Sequence, residues 1–269
     1  MSDTAELAMP KIKLDGATKK FGSGVQSRLA LDQVSLSVAT GETVTVIGPT
    51  GCGKTTILNM VAGFTSPSQG KVLVDGKQVT GPGPDRGFMF QRPTLLPWLT
   101  AVENVEFPVR HAQLPGKQLS VKELAEAVDH YLDSVGLRDA GKLYPHQMSG
   151  GMQSRAALAR LLIAQSSVLL MDEPFAALDA QTRLSMQQLL KRVVKSEGLR
   201  TVLFITHDVE EALLISDHVF LMSASPGRIA RHVEVPFRGG GDYRDTVLRP
   251  EFTELKHELI DQLERLVPG

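Results

Sequence analysis

Three short runs of apolar and β-branched residues stand out along the chain, none of them carrying a charged side chain. They are Thr43-Val44-Thr45-Val46-Ile47, Val168-Leu169-Leu170-Met171 and Val202-Leu203-Phe204-Ile205. Short, β-branched and without a charged face, each predicts a strand covered on both sides, as in a mostly parallel sheet. Between them the apolar spacing changes to that of helices, at Lys54–Ala62, Lys122–Val135, Gly151–Ala164, Ala180–Val194 and Val209–Ile215. Strand alternating with helix predicts an α/β layer architecture. The start differs: Lys11–Ala17 and Leu31–Val38 read as strands with little helix between, and Gly70–Val79 as a hairpin arm. These predict an antiparallel β subdomain beside the parallel core. The stretch from about Leu95 to Lys142 reads as mostly helical after Pro97-Trp98. Pro250–Leu266 reads as an amphipathic helix with Phe252, Leu255, Leu259, Ile260 and Leu263 on one face.

Composition narrows the class. The 269 residues are enough to bury a full core, and 42% apolar with 22% charged residues is ordinary for a globular protein. A net charge of −1 gives no overall basic field, so no nucleic-acid partner is expected. The single cysteine, Cys52, excludes an internal disulfide framework and multi-cysteine metal sites, and suits a reducing compartment. No apolar run reaches the roughly 20 residues that span a bilayer. Met1–Pro10 carries acidic residues and no hydrophobic segment, so it does not read as a signal peptide. A role at a membrane would therefore require docking to another protein.

The most specific chemistry lies after the first buried strand. Gly48-Pro49-Thr50-Gly51-Cys52-Gly53-Lys54-Thr55 matches the phosphate-loop spacing, followed by Thr56 and an apolar helix. Glycines let the backbone curl so that successive N–H groups face phosphate oxygens, and the helix N-terminus adds its positive end. Lys54 would reach the β- and γ-phosphates and the Thr55 hydroxyl would join Mg²⁺. Cys52 reads as a small residue tolerated in the loop. The second buried strand ends in Asp172-Glu173-Pro174, placing carboxylates where an open α/β sheet binds its ligand. Alone this could be a solvated strand end; beside a phosphate loop, Asp172 is a candidate for Mg²⁺ and Glu173 for the general base. Ser149-Gly150-Gly151-Met152-Gln153 opens a helix with a capping serine and two glycines, a second candidate anion site.

In this order, with Gln91, Asp179 and His207 between and after them, the motifs over roughly Lys11–Val235 resemble the ATPase subunit of an ABC (ATP-binding cassette) transporter. The resemblance implies an α/β phosphate-loop NTPase core with a mostly parallel sheet, an antiparallel β subdomain and a helical subdomain. It divides the chain into a core at about 11–94 and 143–235, a helical lobe at about 95–142, and a helical tail at 236–269. It also implies ATP and Mg²⁺, and a head-to-tail dimer in which each ATP lies between one chain's phosphate loop and the other's Ser149–Gln153. Residue by residue, Phe21 matches the aromatic stacked on adenine, although a Phe there also fits a core or edge position. Gln91 matches the glutamine that contacts Mg²⁺ and water, Asp179 the dimer-contact loop, and His207 the histidine on the γ-phosphate. Met148 and Met152 depart from the more usual Leu and Gln, and Arg92 stands where many relatives have an acid.

Asp85-Arg86-Gly87 through Gln91, Leu95-Leu96-Pro97-Trp98-Leu99-Thr100 and Met222-Ser223-Ala224-Ser225-Pro226-Gly227-Arg228-Ile229 are similar to the importer branch for nitrate, sulfonates, taurine and related solutes. Trp98 fits equally well as a buried anchor of the helical lobe. The stretch after His207 is short for the added β domain of sugar-importer ATPases. The resemblance implies a homodimer at the cytoplasmic face of the inner membrane, integral permease subunits as partners, and an extracytoplasmic solute-binding protein indirectly. The alternatives are a lipid-trafficking or export system, or a soluble ABC ATPase acting on ribosomes or DNA. One phosphate loop and no heptad run disfavour the soluble type.

Overall fold

A computed structural model describes residues 9–22, 24, 27–111, 119–196, 200–237 and 243–266. Most of Met1–Pro10, where the absence of a signal peptide was expected, lies outside them. In chain order the first elements are β1 (Ile12–Phe21), β2 (Arg28–Val38), β3 (Thr43–Ile47), α1 (Lys54–Ala62), β4 (Gln69–Val74), β5 (Lys77–Gln78) and β6 (Arg86–Met89). Next come α2 (Ala101–His111), α3 (Val121–Ser134), α4 (Gly150–Ile163), β7 (Val168–Asp172) and α5 (Ala180–Ser196). Then follow β8 (Thr201–Ile205), α6 (Val209–Ile215), β9 (His218–Met222), β10 (Ile229–Glu234), α7 (Tyr243–Val247) and α8 (Pro250–Leu266). They fall into two units, one of the segments up to Pro82 and from Thr201 onward, the other Gly83–Arg200.

In the first unit β3 lies between β8 and β9, parallel to both, and β10 closes the edge antiparallel to β9. All five residues of β3 and of β8 are buried, the threonines included, as their reading as strands covered on both faces predicts. A separate antiparallel sheet takes the order β2-β1-β4-β5, with Ile12 opposite both Val38 and Val74. Its β4–β5 hairpin turns through Asp75 and Gly76, both left-handed, the two-residue turn whose twist matches that of the flanking strands. Of the predicted face of α8, Phe252 and Leu259 are buried and the other three residues half-buried. Phe252 meets Phe237 at 5.5 Å between ring centres, while Lys256 and Tyr243 donate to Glu210 of α6 at 2.5 and 2.9 Å. The tail helix thus packs on its own unit.

In the second unit β6 and β7 are parallel, with Phe88 opposite Leu170. The strand β6 carries Arg86 and Gly87 and so lacks the run that marks β7. Gly87 is there for space, since a Cβ would come within 2.5 Å of Leu161. Helix α3 starts behind a full capping box, in which Ser120 accepts from the Glu123 amide and Glu123 accepts from the Ser120 amide. Its Leu124, Val128, Tyr131 and Leu132 form the buried stripe. Asn104 of α2, fully buried, donates to the carbonyls of Leu96, Leu99 and Thr100 and accepts from the Leu96 amide. One side chain thereby satisfies the turn before its own helix. Trp98 in that turn is 68% exposed, so it is not the buried anchor that was one reading of it.

Candidate functional site

The phosphate loop is shaped entirely within the first unit. Buried β3 stops at Ile47, Gly51 and Gly53 take left-handed φ values of 77° and 99°, and α1 begins at Lys54. A residue with a Cβ is strained at such φ values, so both positions call for glycine. No side chain caps the first turn of α1. Lys54 folds back so that its ammonium donates to the carbonyls of Gly48 and Pro49 at 2.8 and 3.0 Å. Amides at an uncapped N-terminus beside a lysine are suited to an anion. Thr50, Gly51 and Thr55 are exposed; Gly48, Pro49, Gly53 and Thr56 are half-buried.

Cys52 is fully buried, and its sulfur accepts a long hydrogen bond from the Lys54 ammonium at 3.9 Å. Burial pushes that thiol up from its ordinary pKa, against the opposing Lys54 cation and its hydrogen bonds. Also in this unit, Phe21 at the end of β1 is 47% exposed, with the Lys19 ammonium 5.1 Å from its ring centre. An exposed ring at a strand end sets aside the core reading of this Phe and agrees with its edge reading. His207 is exposed just beyond β8, between buried Thr206 and Asp208, which caps α6 by accepting from the Glu211 amide.

The second unit carries the carboxylates and the second glycine pair. Asp172 ends β7 and is buried; Glu173 follows at φ 46°, a left-handed conformation uncommon for a side-chain-bearing residue. Gln91, two residues beyond β6, donates to Glu173 Oε2 at 3.1 Å. The parallel pairing of β6 with β7 brings these two together. Ser149 caps α4, its hydroxyl accepting from the Met152 amide at 3.2 Å. A Cβ on Gly150 would meet open space, and one on Gly151 only ordinary contact with Leu178. Asp179 is exposed and caps α5 by accepting from the Thr182 amide at 3.0 Å. Hydrogen bonds from the Thr182 hydroxyl and amide hold its carboxyl below the usual aspartate range.

Two segments singled out in the sequence make contacts that it did not signal. Gln153 donates to the carbonyls of Pro145 and Met148 and so fastens the turn that delivers Ser149. The Ser223–Arg228 connection lies against the phosphate loop, where a Cβ on Gly227 would overlap the Cys52 carbonyl. Nothing in its local pattern signals that contact.

The ABC transporter family matches residues 31–176. Taurine import ATP-binding proteins TauB of Chromobacterium violaceum and Pelagibacter ubique are 45% and 42% identical, each covering 87% of this chain and 89% and 87% of their own length. An uncharacterized ABC transporter ATP-binding protein of Methanocaldococcus jannaschii is 42% identical over 94% of this chain and 91% of its own. Among solved structures, a dimeric bacterial ABC transporter cassette superposes with TM-score 0.75 at 32% identity, covering 85% of this chain and all of that one. A cassette dimer bound to ADP and phosphate gives TM-score 0.74 at 31% identity, over 85% of this chain and 100% of that chain.

The chain belongs to the ABC transporter ATP-binding family. It has the ABC ATPase fold and is an ATPase coupled to transport. Among the described residues, no helix is long and apolar enough to cross a membrane.

Proposed function

We propose that this chain energises an importer for a small solute such as nitrate, a sulfonate or taurine, as a homodimer on the cytoplasmic face of the inner membrane. The partners are integral permease subunits and, through them, an extracytoplasmic solute-binding protein. The solute class is supported by the relatives named for taurine import and by the Leu95–Thr100 and Met222–Ile229 segments. In this reading the loop Gly48–Thr55, with Thr56, holds the phosphates of ATP through its amides and Lys54, and Phe21 stacks on adenine. Ser149, Gly150, Gly151 and Asp179 meet the nucleotide of a second copy. A helical lobe at about 95–142 and a tail at 236–269 complete the cassette.

The donor set fits Mg²⁺, because the Thr55 hydroxyl, the Asp172 carboxylate and the Gln91 amide oxygen are all hard oxygen ligands. Bound Mg²⁺ would neutralise charge on the β- and γ-phosphates. Glu173 accepts the proton of a water whose oxygen attacks the γ-phosphorus. The bond to the β–γ bridging oxygen breaks, leaving ADP and phosphate. Gln91 orients Glu173 and that water, and His207 donates to the γ-phosphate. Contacts made only with the γ-phosphate favour the closed dimer, and their loss on hydrolysis resets it.

The observation that carries this reading is the uncapped start of α1 with Lys54 folded onto the loop carbonyls. Replacing Glu173 with Gln keeps size and hydrogen bonding but removes the base. ATP should still bind, while turnover falls by about 10²–10⁴-fold and the ATP-bound chain runs as a dimer on size exclusion. Unchanged turnover would remove Glu173 from the base role.

A further inference from the structure

The Ser223–Arg228 connection between β9 and β10 is tied to β2 along its backbone. Gly227 N–H donates to the Ala30 carbonyl and Gly227 C=O accepts from the Asp32 amide, both at 2.9 Å, a parallel bridge centred on Leu31. Arg228 then reaches the Asp32 carboxylate through Nε at 2.9 Å and a second guanidinium nitrogen at 2.5 Å. On the loop side, Gly53 sits over Leu31 and Ala30, where a Cβ would come within 2.5 Å of Leu31 Cδ2 and 3.2 Å of the Ala30 carbonyl. Gly227 lies against the neighbouring peptide: a Cβ there would overlap the Cys52 carbonyl oxygen and come within 2.7 Å of Met222 Cε. Its φ is outside the left-handed region, so space alone demands glycine.

We propose that Gly227 is a positioning residue for the phosphate loop. Its peptide forms a floor beneath Cys52 and Gly53, pinned to β2 and locked by the Arg228–Asp32 pair, and this floor sets the curl that aims the loop amides at the triphosphate. The proposal rests on the reading of Gly48–Thr55 as the ATP phosphate site. It gives the Met222–Ile229 segment a physical task, with no contact to nucleotide required of its side chains. The tightest obstacle at Gly227 is the Cys52 carbonyl, so even the smallest side chain must displace that peptide, and trimming Met222 relieves only the lesser contact with its Cε.

Two readouts separate positioning from general stability: ATP affinity of the folded chain, and the rate at which a disulfide reagent reaches the buried Cys52 thiol without nucleotide. Gly227→Ala should weaken ATP binding by about 100-fold, the loss of one or two loop-amide hydrogen bonds to charged phosphate, and speed Cys52 labelling by about tenfold as the loop lifts. Adding Met222→Ala should restore neither. Arg228→Ala, which inserts no bulk, should cost about threefold in affinity, the size of a partly exposed ion pair. Gly81→Ala, whose Cβ would meet open space, should change neither readout.

Native ATP affinity and a native Cys52 rate in both Gly227→Ala and Arg228→Ala would overturn the proposal. If Gly227→Ala fails to fold, Arg228→Ala alone decides by the same criterion. Lys54→Ala tests the underlying reading separately. Full ATP affinity in that variant would remove the phosphate-loop assignment itself, whatever Gly227 does.

Discussion

Two of the described helices have glycines at their start, just before α1 and in the first turn of α4, and the local surroundings of the two sets differ. Before α1, Gly51 and Gly53 are left-handed, a Cβ on Gly48 would come to 3.0 Å of Cys52, and Lys54 closes over the loop from its own helix. The fold itself demands those glycines. At the start of α4, Ser149 caps the helix in the ordinary way, and neither Gly150 nor Gly151 in its first turn is close to anything that a methyl group would disturb. The same residue type thus serves as an internal packing requirement in one loop and as open approach space in the other. In the proposed dimer, that space would admit the nucleotide of the second copy.

Substitutions at the paired glycines test that contrast directly. The largest effect is expected from Gly150→Ala in the assembled ATPase, a turnover loss of about 100-fold of the kind seen when an anion-binding backbone is blocked. The stability of the isolated chain should move by no more than about 0.5 kcal/mol, read by urea denaturation. Retained turnover would mean that nothing approaches Gly150. Gly53→Ala should behave oppositely, costing about 1–3 kcal/mol in the isolated chain from the left-handed φ alone, with a matching fall in thermal midpoint. An unaltered midpoint would erase the claim that the fold imposes this glycine.

A smaller effect sharpens the ordinary side of the comparison. Ser149→Ala removes the cap of α4 and should cost about 1 kcal/mol in urea unfolding. No change would mean that the cap adds nothing. The smallest effect is at Asp179. Its folded pKa is depressed by the Thr182 hydroxyl and amide, so its capping contribution is fully present above the ordinary aspartate value of roughly 4. It is lost as the pH falls through the lower folded value. Stability of the native chain should therefore decline slightly more than that of Asp179→Asn below that point, and superimposable acid limbs would contradict it.

Much of the local structure was legible along the chain. The three short apolar and β-branched runs became β3, β7 and β8, and α1 and α6 span the residues their spacing predicted. The two-residue turn at Asp75-Gly76 lies inside the stretch read as a hairpin arm. Val219–Met222 carries the same apolar signal as β3 and could have been read as β9. In β6 the signal is lost, because Arg86 and Gly87 interrupt it, and in β10 the half-buried edge positions blur it.

By itself the sequence determined the chemistry-bearing loop, the strand that delivers the carboxylates and the helix that opens at Ser149. Each depends on residues within a few positions of one another, where backbone sterics and hydrophobic period act directly. Tertiary structure alone decided the rest. Gln91 meets Glu173 across 82 positions of sequence, and Arg228 meets Asp32 across 196. Gly227 has no room for a Cβ because folding brings the Cys52 carbonyl of the phosphate loop against it. Contacts between residues so far apart leave no periodicity to read, because what selects them is the packing of finished elements against one another.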